Sequence, residues 1–298
     1  MQLPANGLIA RFLTEEKLPA SFTEIVASWY QPLATQLIEM QKNQGGPLII
    51  GINGAQGTGK STLARFLSLM LTQQQLRVAN LSLDDFYLDS NHRGHLAREV
   101  HPLLATRGVP GTHDLELAEH VMEKLTEPHS QGQLLLPRFD KAIDEPKPQT
   151  VWDAVDLPID VVLLEGWFVG LQPEAQGSLE TPVNSLETDE DTSGTWRYYV
   201  NKRLLDYQGL FQKIDYLVML KAPSFDCVYQ WRSLQEEKLA ANAGSAGNKV
   251  MDQSALDRFI QHFERLTRHC LTALPEQADL VFYLDQDHQI FKSQPPLH

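Results

Sequence analysis

The sequence predicts an α/β fold, a mostly parallel sheet flanked by helices, on three observations. Apolar runs recur at 48–52, 77–83, 160–164, 216–220 and 280–284, each of strand length and each apolar enough for a strand covered on both faces. Segments with helical spacing separate them, and strands alternating with helices build parallel sheets. A glycine-rich stretch joins the first run directly to a helix, with Leu63, Phe66, Leu67, Met70 and Leu71 on one face.

The elements follow in order. Residues 1–46 form an N-terminal helical extension, because Phe22, Ile25, Val26, Trp29, Tyr30, Leu33, Leu37 and Ile38 recur at helical spacing. Gln44-Gly45-Gly46-Pro47 ends it and opens the main domain, 47–298. Residues 84–114 read as loop, punctuated by Gly94, Pro102, Gly108, Pro110 and Gly111. A helix is expected over 115–125 with Asp114 as its N-cap, then a short strand at 133–136. Residues 171–194 are acidic and poor in large apolar side chains, and read as a mobile surface insertion. Helices are expected at 196–213, 223–240 and 253–273, the last carrying Leu256, Phe259, Ile260, Phe263, Leu266 and Leu271. No internal repeat is visible.

Composition narrows the class. A chain of 298 residues suits one large α/β domain with appended helices. The net charge of −13 argues against general nucleic-acid binding, which favours a basic surface. Two distant cysteines, Cys227 and Cys270, suit a reduced, cytoplasmic protein. The first residues lack the basic and apolar regions of a signal peptide, and no apolar stretch is long enough to span a bilayer. A membrane role is therefore not expected.

The glycine-rich stretch defines the chemistry. Gly54, Ala55, Gln56, Gly57, Thr58, Gly59, Lys60 and Ser61 match G-x-x-x-x-G-K-[ST], the Walker A phosphate-binding loop, and Thr62 follows in the helix. Glycines let backbone N–H groups turn toward phosphate oxygens, and the helix adds the positive end of its dipole. Lys60 would reach the β- and γ-phosphates and Ser61 would sit on Mg²⁺. The fold class becomes that of a P-loop NTPase, with ATP and Mg²⁺ as the expected cofactors.

In open parallel sheets ligands bind beyond the carboxyl ends of the strands, so residues there carry the weight. The 77–83 run ends in Asp84-Asp85-Phe86-Tyr87, where a carboxylate can take a proton from an attacking hydroxyl. The 160–164 run ends in Glu165-Gly166-Trp167, placing Glu165 where ATPases of this kind hold Mg²⁺ with an acid. Two structured loops, 106–114 with His113 and Asp114, and 137–141 with Arg138, Asp140 and Lys141, are candidates for recognising a small polar acceptor. Arg138 and Lys141 suit an anionic group. The helix starting near Tyr229 runs into a Gly- and Ala-rich loop, so 225–250 reads as a lid in which Arg232 closes over transferring charge. His92, His95, His101, His113 and His120 show no metal-binding spacing.

Together these motifs resemble the D-glycerate 3-kinase-like branch of the phosphoribulokinase, uridine kinase and pantothenate kinase group. The resemblance rests on GAQGTGKST, SLDDFYL, HPLLATRGVPGTHD, LPRFDKA, LLEGWFVG, WRSLQEEK and FIQHFERLT, and covers most of 47–285. It implies that Asp84 is the catalytic base, Asp85 and Tyr87 its neighbours at the substrate, and Glu165 the acidic Mg²⁺ partner. It further implies that His113, Asp114, Arg138 and Asp140 lie at the acceptor and that Arg232 is the lid arginine. The implied activity is ATP-dependent phosphorylation of a hydroxyl on a small, anionic acceptor, D-glycerate first. Nucleosides, pantothenate and sugar derivatives remain open as acceptors. A nucleotide-binding regulatory protein is the rival from another class, although Asn201-Lys202-Arg203-Leu204 lacks the Asp of a guanine-reading N-K-x-D.

Overall fold

A computed structural model describes residues 5–127, 129–242 and 253–297. Its centre is a six-stranded sheet. The strands in chain order are β1 (Leu48–Gly54), β2 (Val78–Ser82), β3 (Gly132–Leu136), β4 (Phe139–Asp140), β5 (Glu145–Pro146), β6 (Asp153–Leu157), β7 (Val161–Gly166), β8 (Tyr216–Lys221), β9 (Leu280–Leu284) and β10 (Ile290–Gln294). The large sheet runs β10-β9-β8-β1-β7-β2 and is parallel except for β10. β3 pairs with β6 and β4 with β5 in two small antiparallel ribbons.

Side-chain alternation explains why the sheet is buried on both faces. Leu48, Ile50 and Ile52 of β1, Val161 and Leu163 of β7, and Val218 and Leu220 of β8 face one core. Ile49, Val162, Leu164, Leu217 and Met219 face the other. The N-terminal helices α1 (Ala5–Glu15), α2 (Phe22–Ile25) and α3 (Gln31–Asn43), with a π-helical turn at Val26–Tyr30, complete the first core. Phe12, Val26, Tyr30, Leu33 and Leu37 pack there beside Leu63, Phe66 and Leu67 of α4 (Lys60–Gln73). These helices therefore cover the sheet.

Several expectations are corrected. The stretch 84–114 contains a ten-residue helix, α5 (Ser90–Glu99). Asp89 caps it by accepting from the His92 N–H at 2.8 Å, and the residue it buries is Arg93. A helix that buries an arginine shows no apolar stripe. The 171–194 segment is packed rather than free: it holds a 3₁₀ turn (Gln176–Leu179) and α7 (Ser185–Asp189), with Leu179, Leu186, Glu187 and Asp191 buried. Arg265 of α11 (Gln253–Ala273) binds Glu187 at 2.6 Å, and Arg197 of α8 (Thr195–Arg203) binds Asp191 at 2.9 Å. Ion pairs supply the cohesion that the segment's few apolar residues cannot. The chain also continues past 280–284 into β10, the antiparallel edge.

The helix expected at 115–125 is α6 (Leu115–Thr126), and Asp114 caps it through the Leu117 N–H at 2.9 Å. A short helix α9 (Gln208–Phe211) precedes β8, and α10 (Phe225–Asn242) follows it. The latter part of the expected lid, 243–250, lies outside the described residues. No helix among the described residues is long and apolar enough to cross a membrane.

Candidate active site

The carboxyl ends of β1, β7 and β2 lie side by side, and each delivers one part of the site. After β1 the chain turns through Gly57 and Gly59 with φ of +85° and +89°, which glycine adopts without strain. Thr58 pins the loop by donating its hydroxyl to the Ala55 carbonyl at 2.8 Å. A Cβ at Gly57 would stand 2.9 Å from Trp231 Cβ, so α10 rests directly on the phosphate loop. Trp231 in turn donates its Nε1–H to Gln286 O at 3.0 Å and stacks on His288 at 4.1 Å.

β7 contributes Glu165. Ser61 donates its hydroxyl to Glu165 Oε1 at 2.7 Å, and Lys60 Nζ lies 3.8 Å from Oε2. Glu165 is buried, and Oε2 has no hydrogen-bond partner among the described residues. An orphaned carboxylate oxygen beside a serine hydroxyl and an invitingly placed phosphate loop fits a hard cation, which takes oxygen ligands. Among the described residues, no group of three or more acidic, histidine or cysteine side chains is placed to hold a metal ion by itself.

β2 contributes the base candidate through a 3₁₀ turn, Leu83–Phe86. Asp84 Oδ2 accepts from Lys141 Nζ at 2.5 Å, and Oδ1 accepts from the Tyr87 hydroxyl at 2.8 Å. Burial pushes its carboxyl up, but the charges of Lys141 and Lys60 and the two hydrogen bonds outweigh burial and hold it well below the usual range. Asp85 differs: burial raises it, although Arg138 opposes the rise. Its Oδ1 accepts from the Phe139 N–H at 3.1 Å, and its Oδ2 from Arg138 at 3.3 Å. Arg138 also donates Nε–H to Asp153 at 2.7 Å.

The expected residues thus divide. Lys60, Ser61, Glu165, Asp84, Asp85, Tyr87, Arg138 and Lys141 come together. Asp114 and Asp140 have backbone duties: Asp114 caps α6, and Asp140 accepts from the Ala142 N–H at 2.9 Å to shape a turn. Asp114 still lines a cavity of about 180 Å³ with Asp85, Tyr87, Arg138 and Trp152. His113 is buried against Tyr87, the ring centroids 4.5 Å apart and the planes tilted by 34°. Its Nδ1 pairs with the Tyr207 hydroxyl at 2.7 Å, and that hydroxyl accepts from the Gly111 N–H at 3.0 Å. Arg232 is on α10 with its guanidinium over the Phe259 ring of α11, 5.8 Å from the centroid.

Sequence reasoning missed Trp231, Tyr207, Asp153 and Arg107. Each acts through a partner distant in the chain, and no local pattern marks such pairs. Arg107 and Trp231 had a signal, since they lie in the 106–114 loop and the WRSLQEEK motif singled out above.

Burial also sets a pH dependence. It drives the His113 pKa from 6.5 down to about 3, and that of His262 down to about 4. The unfolded chain binds these protons below pH 6.5, and the folded chain refuses them until its own lowered values. Stability should therefore fall as pH drops from 6.5 toward 4, by up to about 1.4 kcal/mol per pH unit per histidine. Melting curves of the wild type and His262→Gln across that range check this; an unchanged slope in the variant would count against it.

No protein-family model matches the chain. It is 34% identical over 235 residues to the uncharacterised kinase mug58 of Schizosaccharomyces pombe, across 76% of this chain and 82% of that protein. It is 31% identical over 226 residues to the chloroplastic D-glycerate 3-kinase of Arabidopsis thaliana, spanning 73% of this chain but 46% of the longer plant protein. The solved structure of D-glycerate 3-kinase from Cryptococcus neoformans matches with a TM-score of 0.71 at 26% identity, covering 89% of this chain and 98% of that one. The chain belongs to the P-loop kinase group that includes D-glycerate 3-kinase, uridine kinase and pantothenate kinase. Pantothenate and uridine kinases match over about half of this kinase, at 31% and 30% identity. The kinase is a phosphotransferase, as its kinase relatives are.

Proposed function

We propose that this kinase transfers the γ-phosphoryl group of Mg·ATP to a hydroxyl of a small anionic acceptor, D-glycerate. The observation that carries the reading is the contact of Lys141 with Asp84: a base and a cation converge on one point, with Arg138 beside them. A hydroxy acid offers a hydroxyl for the carboxylate and a carboxylate for the ammonium. A neutral nucleoside offers no such partner. The glycerate kinases among the relatives support the same choice.

The roles follow from position. Backbone N–H groups of the Gly54–Ser61 loop, with Lys60 and the start of α4, bind and orient the phosphates. Ser61 and Glu165 would hold Mg²⁺, which when bound would neutralise charge on the phosphates. Asp84 orients the acceptor hydroxyl and accepts its proton as the phosphoryl group moves in line. Its low proton affinity suits this step, because in a loose transition state the proton leaves late and positioning supplies most of the acceleration. Lys141 moves from Asp84 to the acceptor carboxylate on binding, which also raises the basicity of Asp84 as the reaction begins. Asp85, Tyr87 and His113 shape the wall behind the base, and Arg232 follows α10 as the lid closes.

ADP release from Mg·ATP, with and without D-glycerate, tests the reading. Strong stimulation by D-glycerate is expected. Stimulation by a nucleoside or pantothenate instead would overturn the acceptor, and nucleotide turnover indifferent to every acceptor would favour a regulatory protein.

A further inference from the structure

Lys141 sits on a piece of chain that cannot hold itself. The β4–β5 hairpin has only two residue pairs, Phe139 with Pro146 and Asp140 with Glu145. So short a ribbon has no independent stability in water. Its turn leans into solvent, with Ile143 69% exposed. Asp144 closes the turn in the left-handed region, φ +63°, donating its N–H to Asp140 O at 2.9 Å.

The Asp144 carboxylate is gripped by two arginines from elsewhere in the fold. Arg93, 1% exposed on α5, donates Nη2–H to Oδ2 at 2.5 Å. Its other contacts go to the Leu88 carbonyl at 2.5 Å and the Ala105 carbonyl at 3.3 Å, so it is rigidly built into the fold. Arg107 donates to Oδ1, reaches the Lys141 carbonyl at 3.4 Å and lies over the Phe139 ring at 5.6 Å. One guanidinium thus touches three members of the hairpin: its first strand, its lysine and its closing aspartate. A buried arginine and a two-pronged grip together make a fixed anchor for an otherwise unsupported turn.

We propose that Asp144 is a positioning residue: clamped between Arg93 and Arg107, it braces the 139–146 hairpin so that Lys141 meets Asp84. This rests on the proposed role of Lys141 at the acceptor, and it adds the device that aims it. A substitution at Asp144 leaves Lys141 in the chain but lets its amine wander from the base.

Two measurements on the full-length protein test the brace. The first is the acetylation rate of the Lys141 amine, followed by mass spectrometry with Lys202 as the internal reference. An ammonium held on a carboxylate reacts slowly, so Asp144→Ala should speed Lys141 labelling about threefold or more toward the rate in Asp84→Asn, as residues in one network couple. The second is a double-mutant cycle read in turnover of D-glycerate. Asp144→Ala should lower kcat/KM for the acceptor about tenfold to a hundredfold, with KM for ATP unchanged. In a Lys141→Ala background the same substitution should cost less than about threefold, because its effect runs through Lys141. Asp144→Glu should restore part of the loss. Unchanged Lys141 labelling, or losses that multiply in full, overturns the brace. Arg107→Lys keeps the charge and removes the fork, and serves if Asp144→Ala does not fold. A wild type inactive on D-glycerate sinks the acceptor assignment, while the labelling experiment still decides the brace.

Discussion

Replacing Asp84 with asparagine is expected to lower kcat by about 10²–10⁴-fold, the range lost when a positioned base is removed. KM for ATP should stay nearly constant, because Asp84 follows β2 whereas the proposed phosphate site is the loop after β1. The amide keeps an acceptor for the Tyr87 hydroxyl, which lies 2.8 Å from Oδ1, so the local structure has a substitute. What it loses is the charge facing Lys141 and Lys60. A fall in kcat with an unchanged melting temperature separates loss of chemistry from loss of fold. Full activity in the variant would remove Asp84 from the mechanism and direct attention to Asp85, which burial makes easier to protonate.

The Glu165→Gln substitution is expected to cost about 10²–10³-fold in kcat/KM, the scale of removing one preorganised electrostatic partner. The amide oxygen still accepts from Ser61, now 2.7 Å from the carboxylate, so α4 keeps its contact with β7. The buried oxygen that has no hydrogen-bond partner becomes part of a neutral group, and the charge that would attract Mg²⁺ is gone. Raising the Mg²⁺ concentration should recover part of the loss, because weaker binding is offset by mass action. Titrating Mg²⁺ against turnover for both proteins is the measurement. A deficit of the same size at every Mg²⁺ concentration would argue that Glu165 serves Lys60 alone, which stands 3.8 Å away.

Much of the architecture was legible in the sequence for a simple reason. Strands covered on both faces must be apolar at consecutive positions, and β1, β7, β8 and β9 are. Asp114 at the start of α6 was legible because a cap is local. The phosphate loop was legible because its glycines and lysine are fixed in spacing. The hidden parts depend on distant partners. Glu187 and Arg265 are far apart in the chain, yet they fasten the 171–194 segment that composition alone marks as free. Helix α5 buries Arg93 and exposes much of the rest, the reverse of an amphipathic pattern. Asp140 reads as a recognition residue and its part in shaping a turn was not legible, since short acidic side chains serve both ends. Trp231 reads as an ordinary core aromatic until Gly57 is found against it.

The ammonium resting on Asp84 has a consequence when acceptor is absent. With Mg·ATP bound and water alone at the γ-phosphate, the proposed base Asp84 would still be held by the Lys141 ammonium. Water has no carboxylate to draw Lys141 away, whereas a hydroxy acid does. On the roles proposed above, the same contact would guard the nucleotide against idle hydrolysis between turnovers.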